Sequence, residues 1–133
     1  MELIFSFATD DGINLKKDDH FGKAKYFKIY HYKDGKWEFI EKRENKKVTE
    51  DESLIHGDPK KAKAVSSILE NVDVMVGRKF GPNIKRLINK FVFVVIRETD
   101  SIEEALKLIE KNMQRVIEEK NKEERKVIVL RPD

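Results

Sequence analysis

The chain has 133 residues, of which 39% are apolar and 40% charged, and its formal net charge is +3. That length suits one domain with a real core, and a charge so small and evenly mixed gives no ground for a nucleic-acid partner. Zero cysteines exclude disulfides, zinc–thiolate sites, a cysteine nucleophile and a self-made thiolate cage for an iron–sulfur cluster. The balance toward Lys, Glu and Ile suggests a thermophile, because ion-pair networks cost less desolvation when hot. No secretory leader is expected, since "LIFSFA" is too short for one and follows Glu2. No apolar run reaches the length of a membrane span, so the expectation is a soluble, cytoplasmic protein. The blocks "KKDD", "EKRENKK" and "EEKNKEERK" interleave both signs and read as solvated faces.

Residues 3–9, "LIFSFAT", form a β-rich apolar run that stops at the turn signal "DDG". Two further runs, 24–33 and 36–44, flank Asp34-Gly35 and predict an antiparallel hairpin, because both turn residues tolerate positive φ. Residues 45–57 are polar and irregular. Asp58-Pro59 then opens a first helix, with Asp58 as cap and Ala62, Val65, Ile68 and Leu69 as the apolar stripe. "VDVMVG" (72–77) predicts a short buried strand, and Gly81-Pro82 starts a second helix carrying Ile84, Leu87 and Ile88. "FVFVVI" (91–96) is continuous, as expected of a strand covered on both faces.

Ser101 and Glu104 have capping-box spacing. The third helix behind them places Ile102, Ala105, Leu106, Ile109, Met113, Val116 and Ile117 on one face and is expected to run to about Lys122. "KVIVL" (126–130) reads as a final strand. An exposed apolar strand invites pairing, so the tail either adds to its own sheet or crosses to a second subunit and makes a homodimer. The order predicts an α/β fold: a mixed five- or six-stranded sheet, with an antiparallel N-terminal hairpin and a parallel second half flanked by helices.

Ligands in open α/β sheets bind outside the carboxyl ends of the parallel strands. Three segments are expected to meet there: the loop from Thr9 to Gly22, the helix entry from His56 to Pro59, and "GRKFGP" (77–82). Two of them lead into helix N-termini, where free amides favour an anion, and Arg78 and Lys79 add positive charge. His20 is expected at the rim of a cleft lined by residues 9–12, 56–58 and 77–82. Each feature also has a plain structural reading. His20 can be a turn residue, His56 beside Gly57 a local one, His31 a strand residue, and Arg78 and Lys79 ordinary loop charges. Asp10 and Asp11 can bind magnesium or simply form a turn. No nucleophile–base pair, P-loop or dinucleotide fingerprint is present.

Taken together, "FATDDG", "HFGKAKYFKIY", the later "HG" and "DVMVGRKFGPN" resemble the dinitrogenase iron–molybdenum cofactor biosynthesis family, over roughly residues 1–110. The resemblance implies a ribonuclease-H-like α/β domain, with residues 111–133 as a C-terminal extension of it. It also implies a non-enzymatic carrier that binds a preassembled iron–molybdenum cofactor, or its iron–sulfur precursor, and exchanges it with a donor or acceptor protein. His20 of "HFG" is the implied cluster ligand, and Phe21, Gly22, His56, Gly57, Arg78, Lys79 and Gly81 complete the implied site. With no cysteine, imidazole is the ordinary borderline ligand left beside three methionines. Two other readings stay open: a metal-dependent hydrolase or nuclease using Asp10 and Asp11, and an interaction or regulatory module without a ligand.

Overall fold

The computed structural model describes residues 2–45, 69–82 and 87–132. Its strands are β1 (Glu2–Thr9), β2 (Tyr26–Lys33), β3 (Lys36–Glu44), β4 (Val74–Gly77), β5 (Val92–Ile96) and β6 (Ile128–Leu130). Its helices, among the described residues, are α1 (Ile102–Lys111) and α2 (Met113–Lys120). One sheet holds all six strands in the order β3-β2-β1-β4-β5-β6. The first three pair antiparallel, and β4, β5 and β6 continue parallel to β1. This is the mixed sheet that the order of elements predicts, with the tail supplying the sixth strand. The first predicted helix lies outside the described residues apart from Leu69, and so do residues 83–86 of the second, including Ile84.

The hairpin forms where Asp34 and Gly35 take φ of 52° and 79°, a turn whose twist matches that of the flanking strands. Alternation along β1 sends Leu3, Phe5 and Phe7 to one face of the sheet, with Val74, Val76, Val92 and Val94. Ala8, Phe27, Ile29, Met75 and Phe93 join Leu69 and Leu87 in a second apolar cluster. On the first face Ile102, Ala105, Leu108, Ile109, Met113 and Val116 bury against the strands. Each of the side chains larger than alanine in this set contributes about 1.5–3 kcal/mol by leaving water. Leu108 belongs to this stripe, whereas Leu106 and Ile117 are only partly buried.

The long third helix of the sequence reading is in fact two helices. Ser101 caps α1 as expected, its hydroxyl accepting from the Glu104 N–H at 3.1 Å. At Asn112 (φ −113°, ψ 17°) the main chain leaves the helix. The Asn112 N–H turns to the Ile109 carbonyl at 2.9 Å, and its side-chain Nδ2 serves the Leu108 carbonyl at 2.9 Å instead. A polar side chain that can replace a main-chain donor makes the break cheap.

Past α2 the chain folds back onto its own sheet, where Val94, Val95 and Ile96 pair with Ile128, Val129 and Leu130. Glu119 organises the return. It is only 7% exposed, and it accepts from the Lys126 N–H at 2.9 Å and from Lys122 Nζ at 3.1 Å. Burial pushes its carboxyl up, and those two partners bring it below the ordinary value. The charged run there is therefore not wholly a solvated face. Lys120 reaches the Asp73 carboxylate at 3.0 Å, tying α2 to the entry of β4.

Candidate functional site

The loop after β1 is built by its own side chains. Thr9 Oγ1 donates to the Asn14 carbonyl at 2.6 Å and accepts from the Gly12 N–H at 2.9 Å. Asp11 Oδ1 accepts from the N–H groups of Ile13 and Asn14, each at 2.8 Å. Those amides, Asn14 foremost, hold its carboxyl down at about 2. Asp10 accepts from Lys16 Nζ at 2.7 Å and from the Lys25 N–H at 2.9 Å. Both carboxylates are thus spent on turn and loop structure. Among the described residues no group of three or more His, Asp or Glu side chains is placed to hold one metal ion.

A pH dependence follows. Because Asp11 titrates lower when folded than its ordinary 3.8, the stability it contributes is complete above roughly pH 4 and is lost as pH falls toward 2. Comparing denaturant midpoints of wild type and Asp11→Ala, we expect a deficit at pH 6 that shrinks markedly by pH 2.5. A deficit constant across that range would contradict the assignment.

His20 stands at the entrance of a short 3-10 turn, Phe21–Lys23, in extended conformation (φ −68°, ψ 153°). Its N–H donates to Asp19 Oδ1 at 2.7 Å, which keeps the Asp19 carboxyl below the ordinary value. Phe21 is 3% exposed. Its ring lies between Phe27 and Phe80, with both centroid separations 5.0 Å. Its N–H donates to the Lys79 carbonyl at 2.7 Å, locking the "HFG" loop to the "GRKFGP" loop. Phe21 thereby fixes the loop, and the side chain left open beside it is the imidazole, 47% exposed.

Gly81 forms the seat of that imidazole. A Cβ there would come within 2.8 Å of His20 Nδ1 and 3.2 Å of Cγ, so only glycine lets the ring lie this close. Gly77 does the same beneath Phe21, whose Cδ2 would stand 3.1 Å from an added Cβ. The ring rests on Gly81 by its Nδ1 edge, and Nε2 is the nitrogen on the far edge. Gly22 sits in the turn, and its carbonyl accepts from Asn45 Nδ2 at 2.9 Å.

Arg78 is not a free cation at the rim: its guanidinium pairs with the Asp100 carboxylate. Asp100 also accepts the Leu15 N–H at its main-chain carbonyl, 2.7 Å away, so the loops after β1, β4 and β5 are tied together. Lys79 is exposed and lowers the neighbouring Asp18 carboxyl, though less than Lys16 does. A cleft of about 370 Å³ opens beside these loops, lined by Asp10, Asp11, Asn14, Leu15, Lys16, Lys17, Asp18 and Asp100. His20 is not among its lining residues. Of the three segments expected to converge, two do so, at His20 and Gly81. His56 and Gly57 lie outside the described residues. His31 is a strand residue, its Nε2 lying 2.9 Å from a Glu2 carboxylate oxygen without hydrogen-bond geometry. The sequence reading did not single out Asn45, Asp100 or Gly77, all of which act through contacts distant in sequence.

The result is a small mixed α/β domain that presents a half-exposed imidazole from a fastened loop at the carboxyl end of its first strand. A family model described as dinitrogenase iron-molybdenum cofactor matches residues 1–112, and the chain belongs to that family. The match ends at the break between α1 and α2. No curated protein matches the chain. No helix among the described residues is long and apolar enough to cross a membrane.

Proposed function

We propose that the chain binds and carries a preassembled iron–molybdenum or iron–sulfur cluster as cargo, holding it through His20. Membership of the family makes a role connected with the nitrogenase cofactor the coarse reading. The observation that carries the finer one is the imidazole, half exposed and seated on Gly81 over a loop fixed by buried Phe21. A single borderline nitrogen donor suits a cluster that arrives with its own sulfides, and the lack of any cysteine suits a carrier better than a builder of clusters. Asp10 and Asp11 accept hydrogen bonds that build the loop after β1, and the carrier reading asks no catalytic step of them. Arg78 is neutralised by Asp100, which leaves Lys79 as the exposed cation of that loop for an anionic cargo. The further partners of such a carrier are a cluster donor and an acceptor protein. Anaerobic titration of the protein with a preformed cluster, followed by its visible charge-transfer absorption, tests the reading.

A further inference from the structure

Two carbonyls of the turn that carries His20 are held by one distant side chain. Asn45 Nδ2 donates to the Gly22 carbonyl at 2.9 Å and to the Ala24 carbonyl at 2.8 Å. We propose that Asn45 is the positioning residue of the His20 loop, its carboxamide setting the orientation in which the imidazole is presented. What the ring receives rests on the cluster-carrier reading; the positioning is a property of the free protein.

The chemistry favours asparagine here. A primary amide offers two N–H donors from one nitrogen, so it serves two carbonyls at once. A carboxylate of the same shape offers none and would set its own oxygens against theirs. Asn45 is also fixed before it acts: it follows the Tyr26–Glu44 pair of the β2–β3 ladder, and its N–H donates to the Lys25 carbonyl at 3.0 Å. Ala24 is 2% exposed, so a carbonyl deprived of its donor there is poorly replaced by water. The turn itself is short, closed by Lys23 N–H to the His20 carbonyl at 2.9 Å and Ala24 N–H to the Phe21 carbonyl at 3.2 Å.

Other anchors hold the loop's ends. Phe21 is bound to Lys79 on one side, and the Lys25 N–H to Asp10 on the other. Losing the Asn45 amide therefore leaves the fold standing and frees residues 22–24 between those anchors, a segment that reaches His20 through the Lys23 N–H on its carbonyl.

The test uses the full chain with Asn45→Asp and the uncharged Asn45→Ala, which controls for the added charge. Imidazole resonances of His20, assigned against His20→Ala, are read well below the unfolding temperature. Affinity is read with a synthetic iron–sulfur cubane carrying labile thiolates. In both variants we expect His20 resonances to shift and broaden while those of His31 stay put. Cubane affinity should fall about tenfold, as for other residues that orient a ligand. Wild-type His20 resonances in both variants would overturn the positioning role, even with cubane binding still abolished in His20→Ala. Cubane binding that ignores His20→Ala would instead sink the carrier reading, and the resonances alone would then decide Asn45. Should Asn45→Asp fail to fold, Asn45→Ala and Asn45→Gln carry the same comparison, with Asn45→Gln expected to restore part of the wild-type signal.

Discussion

Replacing Phe21 by alanine should destabilise the protein by about 3–5 kcal/mol, the range for a deleted core aromatic. The ring is almost wholly buried, stacked between Phe27 and Phe80, and a Cβ on Gly77 would meet it. Phe80 in turn packs edge-on against Phe93, 5.1 Å away, so the Phe21 ring belongs to a connected aromatic cluster. The pairing geometry of the rings adds to the loss beyond the area buried. Urea unfolding monitored by far-ultraviolet dichroism measures it, with Phe21→Leu as the milder step. A loss below about 1 kcal/mol for the alanine variant would mean that the loop is not anchored as described.

The second large effect is expected at Gly81, on binding more than on stability. An alanine methyl would stand 2.8 Å from His20 Nδ1, closer than unbonded atoms tolerate. The obstructing atom belongs to a half-exposed side chain, so the ring swings away and the fold gives little. Gly81→Ala should therefore keep a near-native unfolding midpoint while cluster affinity falls roughly 10–100-fold, the usual cost of disturbing a ligand's support. Valine should be worse. An unfolding midpoint that drops as far as in Phe21→Ala, with affinity unchanged in the folded fraction, would contradict this division of roles.

Local chemistry made much of the fold legible. Asp34-Gly35 announces its turn, the continuous run at 91–96 announces a strand buried on both faces, and Ser101 announces a helix start. Each signal is carried by neighbours in sequence. The misreadings share the opposite property. Periodicity runs straight through Asn112, since the break depends on a side-chain amide that takes over from the main chain at Leu108. Glu119 hides in a charged run because its burial comes from the returning tail, seven residues on, at Lys126. At the site, the histidine and its glycines were visible as a motif. The pairing of Arg78 with Asp100 and the reach of Asn45 to Gly22 were not, because they span 22 and 23 residues and follow no local pattern.

The same long-range ties explain why the tail closes on its own sheet. Lys120 binds Asp73, and Arg125 donates to the Lys120 carbonyl at 2.8 Å, and together these contacts hold the turn that leads into β6. With the sheet complete, α2 and β6 lie beyond the family match yet share the core of the matched part: Val116, Ile128 and Leu130 pack in the same cluster as Phe5 and Phe7.

The most direct measurement of the central claim compares wild type with His20→Ala in an anaerobic titration with a preformed iron–sulfur cubane, read by charge-transfer absorption and by metal retained after desalting. His20 is half exposed and its ring contributes little packing, so the variant should fold like the wild type. We expect stoichiometric binding by the wild type and loss of at least tenfold in affinity when the imidazole is removed. Equal binding by the two proteins, or no binding by a well-folded wild type, would contradict it.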